Sequence, residues 1–511
     1  MHKLSYIIIG LVLLISCNEE EDNDVLPNNN WQPSLSSFSY LKSMNPHLDN
    51  NIYLDIKETK ITGFISAAIN QKDLIATYKT DAKTVIVNNI EQESGITSND
   101  FTNILTYKLS SNDGGSISYE VDLRKFTGLP IVYIDTESQQ EINSKDTYVN
   151  GTVSIDGGRL SSDFTEYKMK IRGRGNSTWN RHVKKPYQLK LDDKLEFLDL
   201  PKDKKWVFLA EVSDKTLIRN KIAYEMGYLS SLDYTPKSQY SEVFLNGVYN
   251  GTYLIAQKVE ESDRRVALGD TGYLIEIDQI HRLDEGDVYF RTYNYNNQFE
   301  GAPFLFNIKE PKLKFDTPEY TYIFNLIDNF EKNLKSPNFK SPSDGYTTFI
   351  DVDSFIDYYL INEITKNTDA KEYSSIYLNV MPGEKIKMGP IWDFDLAFGN
   401  VDYAPSQYAT GFWIKDNAWY ARLFEDPEFV AKVKLRFSYY LENQSSMLDK
   451  IDAYAALLTY AQQENDKKWG LLGTYHWPNP VVYDTYQEEV DHLKDWYISR
   501  MNWLENAFDK L

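Results

Sequence analysis

Residues 388–399 have the sequence MGPIWDFDLAFG, the most informative stretch of this chain. Two carboxylates, Asp393 and Asp395, stand here in an otherwise apolar run. Burying a carboxylate is costly unless it is paired or holds a cation. We therefore interpret the segment as part of a functional site, where ionisable groups in apolar surroundings are common.

The residues before this segment predict a helix, a loop with an aspartate and a short hairpin. Apolar side chains between 352 and 364 fall on one helical face, the loop carries Asp369, and 375–380 and 385–388 are the hairpin strands. This order, followed by Asp393 beside a Phe, is that of a protein-kinase catalytic segment, in which one Asp orients the acceptor hydroxyl and another holds magnesium. The spacing by itself also fits any helix and hairpin flanked by aspartates.

Further motifs, in the same order along the chain, resemble the CotH kinase domain, the spore coat protein H family. They are RGRGNSTW at 172–179, KKPYQLKL at 184–191, DKTLIRN at 214–220, FLNGVYNGTY at 244–253 and WDFD at 392–395. The resemblance covers residues from about 130 to 511. It implies an atypical, kinase-like fold that transfers phosphate from ATP to protein serine or threonine, with Mg²⁺ as cofactor.

The resemblance also assigns roles to acidic residues. Asp369 matches the catalytic loop Asp and Asp393 the metal-binding Asp, with Asp395 as a second carboxylate for the metal. Many members have Asn five residues after the loop Asp, where this chain has Ser374. A hydroxyl is a weaker magnesium ligand than an amide oxygen, so either Asp395 compensates or activity is reduced. Gln257 stands where many relatives have Glu before a lysine, which leaves the role of that position open.

Basic residues in the first half of the similar region are candidates for binding the nucleotide phosphates. The candidate cofactor-binding residues are Arg172, Arg174, Lys185, Lys190 and Glu225. By analogy with ordinary kinases, Lys190 on a strand would pair with Glu225 on the next helix, although Lys184 or Lys185 could serve instead. The glycines at 173 and 175 either permit a bulge or cradle a phosphate, and no Walker motif follows them.

The pattern along the chain predicts an α+β fold in two domains. Residues 33–127 contain short alternating strands separated by turn residues, typical of an immunoglobulin-like β-sandwich, which we interpret as a spacer. Residues 128–511 form the CotH kinase-like domain, with strands first and amphipathic helices in its C-terminal part.

The N-terminus has the features of an exported lipoprotein. Residues 1–17 read as a signal peptide, and Cys17, the only cysteine, ends a lipobox-like sequence and would carry the lipid. The acidic residues of the 18–32 tether resemble the sorting signals of surface-exposed lipoproteins of Bacteroidetes-type bacteria. We therefore predict an outer-membrane protein, surface-exposed and attached to the membrane only through the lipid.

Charge and composition limit the partners. Acidic residues outnumber basic ones 75 to 54, giving a net charge of −21, which excludes nucleic acid as a partner. The six histidines show no metal-ligand spacing. Because ATP is scarce outside the cytoplasm, the alternative is a non-catalytic, kinase-shaped adhesion or scaffold protein, and a carbohydrate-active lipoprotein is a third interpretation. The sequence does not identify the acceptor.

Overall fold

The computed structural model describes residues 31–299 and 301–511, which divide into two compact units. Residues 31–65 and 69–125 form one unit, and 66–68 with 126–511 form the other. The predicted signal peptide, Cys17 and most of the acidic tether lie outside the described residues. No helix in the described part of the chain is long and apolar enough to cross a membrane.

The first unit is built from strands only. They are β1 (Leu35–Tyr40), β2 (Ile52–Tyr53), β3 (Asp55–Lys57), β4 (Lys60–Ser66), β5 (Leu74–Ile75), β6 (Thr77–Thr80), β7 (Thr84–Val87), β8 (Ile90–Glu91), β9 (Ser98–Asn99), β10 (Leu105–Ser110) and β11 (Ser116–Phe126). They form a six-stranded sheet in the order β3-β4-β11-β10-β7-β8, a three-stranded sheet β2-β1-β6 and the pair β5-β9. An aromatic core that includes Phe38 and Tyr107, with ring centroids 5.2 Å apart, holds the unit together. The predicted β-rich region is confirmed, and its immunoglobulin-like type stays a prediction.

The second unit begins with a closed barrel. Its strands are β12 (Ile131–Thr136), β13 (Val149–Asp156), β14 (Phe164–Gly173), β15 (Tyr187–Phe197), β16 (Leu200–Leu209), β17 (Ser238–Leu245) and β18 (Val248–Gln257), with helices α1 (Ser177–Arg181) and α2 (Arg219–Tyr228) between them. The order is β12-β13-β14-β15-β16-β18-β17, and the parallel pairing of β12 with β17 closes the barrel. A two-residue turn joins β17 to β18, where Asn246 and Gly247 both have positive φ (50° and 75°), as such a turn requires.

A five-stranded sheet and a helical region follow the barrel. The sheet is formed by β19 (Tyr273–Asp278), β20 (Val288–Asn296), β21 (Pro303–Glu310), β22 (Ile376–Val380) and β23 (Lys387–Met388), in the order β20-β21-β19-β22-β23. The helices are α3 (Pro318–Lys335), α4 (Val352–Thr365), α5 (Ala418–Leu423), α6 (Pro427–Glu442), α7 (Gln444–Leu457), α8 (Ala461–Trp469) and α9 (Tyr486–Asp509). The mixed α+β composition and the helical C-terminal part agree with the prediction.

Helix α4 leads into the candidate site and is more deeply buried than its pattern predicts. Asp351 caps it by accepting a hydrogen bond from the backbone N–H of Ser354 (2.8 Å). The pattern predicts one buried face, but residues 354–365 are buried on all sides, since α2, α6, α9 and β23 surround them. The helix ends at Lys366, whose φ is +46°. Lys366 Nζ donates to the carbonyl oxygens of Pro405, Tyr408 and Thr410 at 3.3, 2.8 and 2.6 Å.

Candidate active site

Two loops form the centre of the site: the Asp369 loop (residues 366–375) and the Asp393 loop (residues 390–399). Hydrogen bonds tie them side by side. They run from Thr368 Oγ1 to Leu396 O (3.0 Å), from Asn367 Nδ2 to Trp392 O (3.4 Å) and from Phe398 N to Thr365 O (2.6 Å). These contacts bring together two segments that are separate in sequence.

Each of the two principal aspartates is held by one of two consecutive serines. Asp369, on a short 3-10 turn, accepts hydrogen bonds at its backbone carbonyl oxygen from the N–H groups of Tyr373 (2.9 Å) and Ser374 (3.2 Å). Asp393 accepts one from Ser375 Oγ at 3.2 Å and has a φ of +69°, a left-handed conformation that Asp and Asn tolerate better than most residues. The structure thus brings Asp369 and Asp393, one on each loop, into the same region of the site.

The carboxylates of this site repel one another in a partly dry environment. Burial, and then the charge of Asp393, raise the pKa of Asp369 to about 7. Burial also raises the pKa of Asp395 well above its ordinary value, and the negative charges of Asp393 and Asp369 add to this effect. Within the described residues, no three His, Cys, Asp or Glu side chains form a ready-made metal site. Mg²⁺ in phosphotransfer sites takes one or two carboxylates together with phosphate oxygens and water, and the pair Asp393 and Asp395 suits that requirement.

The raised pKa of Asp369 has a consequence for stability. A carboxyl group whose pKa is higher in the folded state contributes stability below its unfolded pKa, near 4, and loses it as pH rises through its folded pKa, about 7. We therefore expect Asp369→Asn to stabilise the metal-free protein at pH 8 by roughly 4 kcal/mol and to have little effect at pH 4. Thermal unfolding of both proteins at the two pH values measures this. A gain in stability for Asp369→Asn that is equal at both pH values would contradict the raised pKa of Asp369. The control is Asp449→Asn, at an exposed position of α7.

Arg282 is a site residue that the sequence interpretation missed. It lies just after β19, donates from Nη1 to Ser374 Oγ (2.6 Å) and forms an ion pair with Asp278 (3.0 Å). Burial lowers the pKa of Arg282, but the carboxylates of Asp278, Asp369 and Asp393 outweigh it and raise the pKa. No sequence spacing connects position 282 with the aspartate loops. Ser374, predicted as a metal ligand, accepts a hydrogen bond at its hydroxyl from Arg282, and its magnesium role stays a prediction.

Arg174 is the basic candidate that faces the carboxylates. Its guanidinium lies over the Trp392 ring (5.5 Å from the centroid). Among the neighbouring charges, that of Asp393 raises the pKa of Arg174 most. Burial lowers that pKa. Among the described residues, no side-chain hydrogen bond or ion pair of Arg174 is formed. Lys258, after β18, is close enough for the charge of Arg174 to lower its pKa, which burial brings to about 8. Lys258 also forms an ion pair with Glu260 (3.5 Å), so Arg174 is the freer of the two cations to bind an anion.

The other basic candidates are engaged elsewhere. Arg172 Nη1 donates to Lys145 O (2.6 Å), and Lys185 Nζ donates to Trp179 O (2.5 Å). Lys190 is exposed on β15. Their part in nucleotide binding stays a prediction.

The predicted pair between Lys190 and Glu225 is not formed within the described residues. Glu225 on α2 faces α7, where it binds Lys450 Nζ (2.8 Å) and the hydroxyl of Tyr454 (2.6 Å). The alternative lysine, Lys184, is buried and donates to Thr252 O and to Asn465 Oδ1 (2.9 Å). The pairing fails because α2 turns Glu225 towards the helical region, away from the barrel surface that carries Lys190.

A buried amide connects α2 with the Asp393 loop. Asn220, from the DKTLIRN motif, donates to both carboxylate oxygens of Glu211 (3.1 and 3.2 Å) and accepts from the backbone N–H of Phe394 (2.8 Å). Burial raises the pKa of Glu211 well above its ordinary value, and the negative charges of Asp214 and Asp395 add to this effect. Asn220 thereby fixes the backbone between the two aspartates of the loop.

An aromatic rim borders the site on the other side. Tyr403, about half exposed (51 %), stacks on Trp477 with ring centroids 5.8 Å apart and planes within 5°. The guanidinium of Arg181 lies 4.2 Å from the Trp477 ring centroid. Burial, and then the charges of Asp369 and Asp395, raise the pKa of Tyr403. The rim consists of Tyr403, Trp477 and Arg181.

Comparison with known proteins identifies the family. No curated protein matches the chain. Among solved structures, a Bacteroides thetaiotaomicron protein provisionally described as a glycoside hydrolase is 13 % identical over 59 % of this chain and 78 % of its own, with a TM-score of 0.18, which is too low to carry an argument. The sequence profile of the CotH kinase protein family matches residues 171–504, more than half of the chain. This chain therefore belongs to the CotH kinase protein family.

Proposed function

We propose that this protein is an ATP- and Mg²⁺-dependent phosphotransferase that phosphorylates the hydroxyl groups of protein serine or threonine. The observation that carries the proposal is the meeting of Asp369 and Asp393 between two consecutive serines, with Arg174 facing Asp393. Phosphoryl transfer needs a carboxylate at the acceptor, a metal-binding carboxylate and cations for the phosphates.

Each side chain has a distinct part in this reaction. Asp369 orients the acceptor hydroxyl and takes its proton, for which a pKa of about 7 is well suited. Asp393 and Asp395 would hold Mg²⁺, which would supply positive charge against the phosphate oxygens. Arg174 and Lys258 bind the phosphates, and the rim of Tyr403, Trp477 and Arg181 contacts the acceptor.

We also propose that the protein is an exported lipoprotein anchored through Cys17, with the β-rich unit as an immunoglobulin-like spacer. The N-terminal sequence pattern supports this location. In this location the phosphodonor has to be supplied from outside the cytoplasm. Labelling with radioactive palmitate in a bacterial host, comparing wild type with Cys17→Ala, tests the anchor. Label on both proteins would contradict it.

Transfer of radiolabelled phosphate tests the activity. The purified protein is incubated with Mg²⁺ and γ-labelled ATP, with a protein acceptor such as casein or with itself as the acceptor. We expect label that requires Mg²⁺ and is lost with EDTA. Equal label with and without Mg²⁺, or none at all, would contradict the proposal. Absence of any thermal shift with Mg²⁺ and ATP would favour the non-catalytic scaffold instead.

Arg174→Ala tests the phosphate contact. Because the charge of Arg174 acts on Asp393, and its side chain forms no hydrogen bond within the described residues, we expect the KM for ATP to rise about 10- to 100-fold with little loss of stability. Steady-state kinetics with varied ATP measure this. The matched control is Arg159→Ala, in an exposed turn of the barrel. An unchanged KM would show that Arg174 does not bind the nucleotide.

A further inference from the structure

We propose that two buried asparagines, Asn220 and Asn400, are positioning residues that hold the backbone of the Asp393 loop and thereby set the affinity of the site for Mg²⁺. The inference rests on the proposed function, because the cation is the one that Asp393 and Asp395 would hold. Neither asparagine is assigned to touch the metal or a substrate. Their effect passes through the backbone between the two carboxylates.

Asn220 holds the N–H group of the residue between the two aspartates. Its Oδ1 accepts from the backbone N–H of Phe394 at 2.8 Å, and its Nδ2 donates to the two carboxylate oxygens of Glu211 at 3.1 and 3.2 Å. A backbone N–H can only donate, so the amide oxygen has to face Phe394 and the NH₂ group has to face Glu211. Asn220 and Glu211 are both buried, which shields these contacts from water.

Asn400 holds the carbonyl group of the following residue. Its Nδ2 donates to the backbone oxygens of Asp395 (2.7 Å) and Ser213 (2.8 Å), which uses both hydrogens of the amide. Gly399, just before it, has a φ of +76°, and a Cβ there would lie 2.3 Å from Trp496 Nε1. Glycine therefore permits the turn that brings Asn400 back to Asp395.

A third buried asparagine supports Asn400 from behind. Asn479, between α8 and α9, donates from Nδ2 to Ser213 O (2.6 Å) and to Asn400 Oδ1 (3.0 Å). In the described part of the chain, none of its hydrogen bonds reaches residues 390–399. Asn479 thus shares the side-chain type, the burial and the Ser213 acceptor of Asn400 without its contact to the loop. It is therefore a matched control for Asn400.

The backbone matters for the metal because an aspartate side chain is short. Only one methylene group separates each carboxylate from the chain, so the peptide groups around Phe394 limit where both carboxylates lie. Asp393 also has a φ of +69° and accepts from Ser375 Oγ at 3.2 Å, an arrangement that a shift of the loop would disturb. Mg²⁺ requires near-ideal octahedral geometry, so displaced ligands bind it more weakly.

A purely structural explanation makes a different prediction. In it, the asparagines only attach the segment between α8 and α9 to the residues before α2. Loss of Asn400 or of Asn479 would then lower the stability of the fold, and the affinity of the site for Mg²⁺ would stay the same in both variants.

Mg²⁺ titration at saturating ATP, followed by thermal unfolding, distinguishes the two explanations without measuring activity. We expect Asn220→Ala and Asn400→Ala to weaken the apparent Mg²⁺ affinity about 10- to 100-fold, as loss of a partner that orients a metal ligand does. Asn479→Ala should change it by less than about threefold, because the contacts with the loop remain. Asn506→Ala, at an exposed position of α9, is the surface control.

Amide hydrogen exchange of the metal-free proteins tests the contacts directly. Residues 390–399 should exchange faster in Asn220→Ala and in Asn400→Ala than in wild type, because each variant frees a backbone group of the loop. Exchange of the same residues in Asn479→Ala should match wild type. Unchanged exchange in all three variants would overturn the inference.

The Mg²⁺ titration also separates failure of this inference from failure of the proposed function. A wild type without any Mg²⁺-dependent shift in the presence of ATP would overturn the proposed function. A wild type that shows the shift, with equal Mg²⁺ affinities in Asn400→Ala and Asn479→Ala, would overturn the inference alone. If Asn400→Ala does not fold, Asn400→Ser, which keeps a hydroxyl donor, takes its place. Failure of both to fold would assign Asn400 a structural role and overturn the inference as well.

Discussion

Asp369→Asn is expected to lower kcat for phosphate transfer by about 10³-fold, within the range that general base catalysis contributes. The amide has the same shape as the carboxylate but cannot take the proton of the acceptor hydroxyl. Asp369 is not among the residues proposed to bind the phosphates, so the KM for ATP should stay within about twofold. Radiolabel transfer at saturating ATP measures the loss.

The control for this prediction is Asp449→Asn, which removes a carboxylate from the exposed face of α7. It should leave kcat unchanged. If Asp369→Asn retains wild-type kcat, then Asp369 is not the acceptor carboxylate, and the proposed mechanism is wrong at its centre.

Asp393→Asn is expected to abolish Mg²⁺-dependent nucleotide binding as well as transfer. Asn is preferred to Ala because position 393 has a φ of +69°, which Asn adopts with little strain. An amide offers one neutral oxygen in place of a charge, so a hard divalent cation is held more weakly. Saturating Mg²⁺ and ATP should stabilise the wild type by about 3 kcal/mol at 100 times Kd, and the variant by much less.

Thermal unfolding with ATP and Mg²⁺, and with ATP and EDTA, measures the second prediction. In Asp449→Asn the Mg²⁺-dependent shift should match that of wild type. An equal shift in Asp393→Asn would show that the metal is held elsewhere. Comparing the two single variants separates the two roles. Asp369→Asn should keep the Mg²⁺-dependent shift in unfolding temperature, and Asp393→Asn should lose it.

The local features of this protein follow from its sequence. The order of helix, aspartate loop and hairpin is encoded by neighbouring residues: the cap at Asp351, the periodic apolar side chains and the turn at Pro382-Gly383. The turn at Asn246-Gly247 is fixed in the same way. The family motifs also indicate Asp369 and Asp393 as candidate site residues. These signals are short-range, and a sequence shows them directly.

The tertiary structure alone decided which side chains meet. Arg282 bonds a serine 92 positions away, and Glu225 pairs with a lysine 225 positions away rather than with Lys190. The barrel closes through β12 and β17, which are distant in the chain. Lys184 and Lys185 are neighbours in sequence, yet one is buried and the other is partly exposed. Such contacts depend on how whole elements pack, because burial and long-range pairing are properties of the folded chain and leave no periodic pattern in the sequence.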